Sequence, residues 1–361
     1  MSTTILPDAP TTDRTAPDRL EFLSDNAAPS WLPPLPEAAR YALPYGDDGS
    51  HAALAARFAA LFGGPLRVFP VTSGAAANVV ALRAATGSPG VIVCHAQAHL
   101  AVLEGGAPAD CSGNALAGLP AADGKLAPDQ VNAALSGRGG GILSLSNATE
   151  LGAVYTPHEV RALARIAHGH GAFVHMDGAR LANALAAGTV APGAAVRDTG
   201  VDVLSFGTAK NGGRLAEAVV VFNRALFDRA GEAWAYAGYR CAKSHLLAQE
   251  LLAYLDGDTW LKMAARANAA ARLLAEQITR RTAFRPCLHS QANMVFLMLS
   301  PGQIAGLRAA GYRFNIWEWR DPGAVRLVTN WQTDRDEIDR LVTCLAGLPQ
   351  HTAAIPRPAQ P

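Results

Sequence analysis

The segment Asp202-Val203-Leu204-Ser205-Phe206-Gly207-Thr208-Ala209-Lys210-Asn211-Gly212-Gly213 runs from an apolar stretch into small residues, presents one lysine, and closes on two glycines. A second apolar run, Ala218 to Phe222, follows directly. The pattern is two strands with a lysine on the turn between them. No other charged residue lies within three positions of Lys210, unlike a surface lysine on a helix face or polar turn. One reading is a loop lysine in water, the ordinary state of a lone Lys. The other is an amine held in a cleft, where desolvation favours the neutral form that attacks carbonyls.

The chain around this segment decides between them. Val68 to Val71 is strand-like and ends in Thr72-Ser73-Gly74-Ala75-Ala76-Ala77-Asn78, which opens an alanine-rich helix. A helix N-terminus with free N–H groups, small residues and a hydroxyl suits a phosphate, although Ser-Gly before a helix is by itself an ordinary cap. No GxGxxG or GxxxxGK[ST] is present, which argues against a dinucleotide fingerprint or a P-loop. Val91 to His95 reads as a strand with His99 just beyond it, and Gly141 to Leu145 as the next. Thr156-Pro157-His158-Glu159 reads as a capped helix start. Ala172 to Asp177 is again a strand, followed by Gly178-Ala179-Arg180. An aspartate there can cap a helix or receive a pyridinium N–H, and Arg180 can clamp a carboxylate. The alternation spells parallel βαβ units with Ser73, His99, Asp177 and Lys210 at carboxyl ends, where one crevice collects them. A lysine for a Schiff base, an aspartate for a ring nitrogen, a helix N-terminus for a phosphate and an imidazole for a ring face are the requirements of pyridoxal phosphate chemistry.

The composition fits an enzyme of this kind. At 361 residues, half hydrophobic and with a net charge of +1, the chain reads as an ordinary soluble protein with no nucleic-acid or membrane partner. Its five scattered cysteines lack metal-ligand spacing and read as reduced thiols, so a cytoplasmic location and no metal are expected. No apolar run is long enough to cross a bilayer, and no signal peptide opens the chain. Residues 1–20 and 347–361 read as flexible tails, 21–255 as the large domain with an N-terminal arm, and 256–346 as a small C-terminal α+β domain. A helical stretch is expected from Ala225 to Leu255 with a break at Gly238, then a helix from Trp260 to Arg280. Strands are expected at 293–299 and 324–329, with helices at 301–310 and 334–345. Trp317, Trp319 and Trp331 near these strands read as packing or as pocket lining.

The chain resembles the fold-type I pyridoxal-phosphate enzymes, and among them the threonine aldolase (β-eliminating lyase-like) family. The matching pieces are Ser24-Asp25-Asn26, Tyr45-Gly46-Asp47-Asp48, Ser73-Gly74-Ala75-Ala76-Ala77-Asn78 and Ala98-His99-Leu100. They continue with His175-Met176-Asp177-Gly178-Ala179-Arg180, Ser205 to Gly212, Ala292 to Phe296 and Val325 to Thr329. They fall in order and span all but the tails. The resemblance implies an α/β fold with a mixed, mostly parallel sheet and a low-specificity L-threonine aldolase activity, giving glycine and an aldehyde. It implies Lys210 as the Schiff-base lysine, Asp177 at the pyridine nitrogen, and His99 stacked on the ring. Ser73, Gly74 and Ala75 would seat the phosphate with Thr208 as helper, and Ser24, Arg180 and Arg326 would bind the substrate carboxylate. The β-hydroxyl base would be His99, or a water held by Glu104, Thr149 or Glu150. A homodimer or homotetramer with shared active sites is also implied.

Three departures stand out. The family usually has threonine directly before the lysine, where this chain has Ala209 with Thr208 one earlier. Some relatives carry a histidine after the strand-exit asparagine, where this chain has Ala148-Thr149-Glu150. The Lys-x-Arg that reaches a neighbouring subunit's phosphate is here Lys243-Ser244-His245. Competing readings are a transaldolase, a β-eliminating lyase or an aminotransferase on the same scaffold, and a catalytically silent cofactor-binding protein.

Overall fold

The computed structural model describes residues 21–33, 43–86, 90–188, 190–317 and 323–349. Of the sequence expectations, the tail at 1–20, most of that at 347–361, and Trp319 lie outside them. Seven strands form the main sheet: β1 (Arg67–Val71), β2 (Val91–His95), β3 (Ala115–Leu119), β4 (Gly141–Ser146), β5 (Ala172–Gly178), β6 (Val203–Phe206) and β7 (Glu217–Val221). Their spatial order is β1-β7-β6-β5-β4-β2-β3. The pairs from β3 through β6 are parallel, whereas β7 runs antiparallel to both β6 and β1. The alternation in sequence suggests parallel units out to residue 222; the last strand reverses because only a turn, with no crossover helix, joins β6 to β7.

Strands β2, β6 and β7 are buried along their whole length, which explains why they read as continuous apolar runs. One sheet face packs Leu143, Val174, Met176, Leu204 and Val220 into the larger core. The opposite face packs Ile92, Ile142, Val203 and Val219 against the alanine side of helix α2 (Gly74–Ala85). Strand alternation puts His175 and Asp177 on this α2 side, with Asp177 at the carboxyl end. His175 lies one pleat below, wholly buried between the hydroxyls of Ser144 and Ser205 at 2.9 Å each. Burial pushes its imidazole down to about 4, so it is neutral.

Helix α1 (Ser50–Phe62) precedes β1, and Asp48 caps its start by accepting from the Ser50 amide and hydroxyl. Helices α3 (Pro128–Leu135) and α4 (Pro157–Gly169) follow; α4 begins with the expected Thr156–Glu159 capping box. The expected helical stretch to Leu255 divides into α5 (Phe227–Tyr236) and α6 (Ser244–Tyr254), with Gly238 at φ 82° between them. Helix α7 (Thr259–Arg281) leads to a second, antiparallel sheet of β8 (Met294–Met298), β10 (Ala324–Val328) and β9 (Asn315–Ile316), with α8 (Pro301–Ala309) and α9 (Arg335–Ala346). Strand β3 and helix α3 carry too little hydrophobic pattern to be read from sequence. Phe22 is buried in the core of this second unit, and its carbonyl accepts from the Val328 amide, so the N-terminal segment ties both units together. Among the described residues, no helix is long and apolar enough to cross a membrane.

The β6–β7 turn is held from many sides. Trp31 donates its indole N–H to the Asn211 carbonyl at 2.8 Å, and its ring stacks on Tyr254. Gly212 has φ 86°, and a Cβ there would stand 2.1 Å from Trp31. Gly212→Ala is therefore expected to lower stability by about 2 kcal/mol, read as a lower urea midpoint with an unchanged slope.

Candidate active site

A cavity of about 490 Å3 opens where the carboxyl ends of β2, β4, β5 and β6 meet the N-terminal segment and the second unit. Ser24, His99, Asp177, Arg180, Lys210 and Arg326 all line it, together with Glu150 and Trp317. Six positions spread over three hundred residues of chain thus share one wall, and the volume suits a small ligand. Ser73, Gly74, Ala75, Thr208, Lys243 and His245 do not line this cavity directly.

Asp177 is almost wholly buried, and both oxygens are held. Asn78 Nδ2 donates to one at 3.0 Å and the Ala179 amide to the other at 3.0 Å. Burial alone would raise this carboxyl, but the Lys210 charge and these hydrogen bonds outweigh it and hold the pKa below its ordinary value. It is a carboxylate that stays ionised while facing a cavity.

His99 opens a short helical turn after β2. Its amide donates to Glu150 Oε1 at 2.9 Å, and its Nδ1 lies 2.8 Å from Glu104 Oε1. The same Glu104 oxygen accepts from Asn78 Nδ2 at 2.8 Å. Asn78 therefore links the carboxylate under the imidazole to Asp177. With the Glu104 carboxylate as acceptor, Nδ1 is the donor of this contact, and Nε2 is turned away from it.

Two guanidiniums occupy the far wall in different states. Arg180 is paired, with Nε to Asp25 Oδ2 at 2.7 Å and Nη2 to Oδ1 at 2.9 Å, inside the protein. Asn293 Nδ2 adds a third bond to Asp25 at 3.0 Å. Burial would raise Asp25, but the charge and hydrogen bonds of Arg180 outweigh it and its pKa falls. Arg326 has no carboxylate partner among the described residues. It lies 3.9 Å above the Trp317 ring with its Nε buried and unbonded, and burial and the Arg180 charge push its pKa down. A half-buried guanidinium with no carboxylate bonded to it, and with the Asp25 and Glu150 charges only nearby, can seat an anion.

The other expected residues lie off the cavity wall. Ser73 caps α2, accepting from the Ala76 amide at 3.1 Å, so the Gly74 and Ala75 amides remain among the first-turn donors without intrahelical acceptors. Asn78, one turn further on, places that end of α2 beside Asp177. The Thr208 hydroxyl donates to the Ala216 carbonyl at 2.6 Å. Lys243 caps α6, and His245 is buried with an unbonded Nδ1. Sequence reasoning gave no role to Asp25 or Asn78, although both lie in the quoted motifs; their partners are 155 and 99 positions away.

The fold and site define an α/β enzyme that holds a lysine, an ionised aspartate and an unpaired arginine in one crevice. Residues 23–300 match the family model described as β-eliminating lyase. The chain is 35% identical over 332 residues to the low specificity L-threonine aldolase of Pseudomonas aeruginosa, covering 89% of this chain and 95% of that protein. It is 32% identical over 304 residues to the enzyme of the same name from a Pseudomonas species, covering 82% and 87%. The solved threonine aldolase of Leishmania major superposes with a TM-score of 0.81 at 25% identity, over 90% of this chain and 98% of that one. This chain belongs to the β-eliminating lyase family, and within it to the threonine aldolases.

Asp25→Asn leaves Arg180 buried without its counter-charge and is expected to cost about 3 kcal/mol at neutral pH, measured by urea unfolding. Because the folded pKa of Asp25 is depressed, its contribution is present above the ordinary 3.8 and is lost as pH falls below it. The stability gap between parent and variant should therefore narrow in acid. A loss under about 1 kcal/mol would put the pair on the footing of a surface ion pair.

Proposed function

We propose that this protein is a pyridoxal-phosphate-dependent aldolase. Its substrates are L-threonine, L-allo-threonine and related β-hydroxy-α-amino acids, the phenylserine type included, and its products are glycine and an aldehyde. The observation that carries this reading is the cavity wall, which sets Lys210 and the ionised Asp177 together with Arg326, to which no carboxylate bonds. The names of the Pseudomonas and Leishmania relatives support it.

The residues present fit the cofactor: Asp177 for a protonated ring nitrogen, the first turn of α2 for a phosphate, His99 for a ring face, Lys210 for an aldehyde. When bound, pyridoxal phosphate supplies a carbonyl for the substrate amine and a ring that takes up the electron pair of the broken bond. Arg326 takes the substrate carboxylate into its empty guanidinium face, with Ser24 and the free edge of Arg180 alongside. That grip orients the Cα–Cβ bond. His99 Nε2, with Nδ1 held by Glu104, accepts the β-hydroxyl proton. Thr149 is the weakest candidate for that role, since it is wholly buried and its hydroxyl donates to the Asp123 carbonyl. Asp177 holds the ring-nitrogen proton throughout, fixed by Asn78 and the Ala179 amide.

The working form is proposed to be a homodimer or homotetramer in which Lys243 and His245 face a neighbour's cofactor phosphate. The Lys243-Ser244-His245 segment, in the place of the family's Lys-x-Arg, supports this.

The deciding experiment is the absorbance spectrum of the protein with pyridoxal phosphate, before and after L-threonine, with acetaldehyde followed by a coupled reductase. A Schiff-base band that Lys210→Ala abolishes, together with acetaldehyde release, is expected. A band without acetaldehyde from threonine or benzaldehyde from phenylserine would turn the reading to a transaldolase or eliminating lyase. Cofactor affinity measured from pH 6 to 9 in the parent and in His245→Arg tests the proposed His245 contact, and identical profiles would remove His245 from the phosphate.

A further inference from the structure

Glu217 is a buried carboxylate that the reaction above does not use. It is the first residue of β7, and its side chain turns back into the lysine turn instead of following the strand. Oε2 accepts from the Thr208 amide and Oε1 from the Ala209 amide, each at 3.1 Å. These are the two peptide groups immediately before Lys210, and Ala209 begins the 3-10 turn that carries it. No guanidinium or ammonium bonds to Glu217 among the described residues; its hydrogen bonds come from the two amides.

The charges facing it are few. Lys210 on the turn favours its ionised form, Asp177 on β5 opposes it, and the Tyr254 phenol on α6 is itself pushed up partly by Glu217. On the other side of the turn, the buried carboxylate of Glu250 on α6 accepts from the amides of Arg214, Leu215 and Ala216. Asp177 and Glu217 thus both lean on the Lys210 charge. Asp177 is held low, whereas burial pushes Glu217 up to about 7 against the pull of its two amides. When Glu217 takes a proton, one oxygen becomes an O–H, and an amide of the turn is left with a weaker, uncharged acceptor.

We propose that Glu217 is a positioning residue for Lys210, whose ionised carboxylate grips the Thr208 and Ala209 amides and so sets the turn that presents the lysine to the cavity. The role rests on Lys210 being the cofactor-bearing lysine. It explains why a turn between two strands carries an acid at the position where β7 begins, a position that could otherwise hold another apolar residue.

The test uses parent, Glu217→Gln and Glu217→Asp. Each is mixed with pyridoxal phosphate between pH 6 and 9, trapped with borohydride at timed intervals, digested, and the label on the Lys210 peptide quantified by mass. The Gln variant is expected to label about tenfold more slowly at pH 8. The parent's rate should carry a limb near pH 7 that the Gln variant lacks, with Asp restoring part of both. Hydrogen exchange of the Thr208 and Ala209 amides in cofactor-free protein, corrected for intrinsic rate, should be faster in the Gln variant and faster in the parent at pH 6 than at pH 8. Equal labelling rates and pH profiles in parent and Gln variant would overturn the role of Glu217 while leaving Lys210 as the cofactor lysine. Absence of label from Lys210 in the parent would overturn the proposed function and this role with it. Should Glu217→Gln fail to fold, parent exchange decides alone: equal corrected rates at pH 6 and 8 would overturn the proposal.

Discussion

The constraint on which the site depends is the satisfaction of the peptide groups between β6 and β7. Ten residues connect these strands without an α-helix, all but Arg214 and Leu215 buried or half-buried, so their N–H and C=O groups need partners. Two buried glutamates supply much of the answer, Glu217 for the amides before the lysine and Glu250 for those after the glycines. The Thr208 carbonyl accepts from the Asn211 and Gly213 amides, and the Asn211 side chain bonds Tyr254 and the Trp260 carbonyl. Gly213 has no room for a side chain, because a Cβ would stand 2.1 Å from the Thr208 hydroxyl. The result is a lysine whose backbone is fixed from all sides, which is what a group reacting at one atom requires.

A second constraint is charge. The cavity wall gathers Lys210, Arg180 and Arg326 with Asp177 and Glu150, and Asp25 pairs with Arg180 from behind it, yet the pairing is uneven. Asp25 is consumed by Arg180, and Asp177 leans on Lys210, so Arg326 faces the cavity with aromatic carbon beneath it and no carboxylate bonded to it. Desolvating a guanidinium that bonds no carboxylate is costly, and a site that keeps one suits an anion. Asp25 also joins three parts of the chain: the N-terminal segment, the arginine after β5, and Asn293 at the edge of the second unit. One carboxylate thus serves both ligand placement and the contact between the two units.

The strand ends and the lysine turn were legible because their signals are local. An apolar run ending in Asp-Gly-Ala-Arg or Gly-Thr-Ala-Lys needs only neighbours in sequence to be recognised, and the same holds for the Thr156 capping box. The direction of β7 was not legible, since its composition is the same whichever way it runs. Nor were Asp25, Asn78 and Glu217 as working residues. Each looks like a cap, a helix interior or a strand start, and acquires its meaning from partners brought up by folding. Glu217 is the sharpest case: its partners are only eight and nine residues away, but only a reversal of the chain could make them neighbours. A buried acid opening an apolar strand beside a lone lysine was the available signal.

The replacement of threonine by Ala209 before the lysine follows from the same arrangement. A residue there can serve the cofactor through its side chain or its peptide. In this chain the Ala209 amide is given to Glu217, and the neighbouring Thr208 hydroxyl to the Ala216 carbonyl. Both groups thereby stiffen the turn. In the proposed reading the phosphate then depends on the first turn of α2, whose Gly74 and Ala75 amides are free of intrahelical partners and whose Asn78 already reaches Asp177. Helix α2 would hold both ends of the cofactor, the phosphate directly and the ring nitrogen through its aspartate. The lysine turn is left with the single task of presenting an amine.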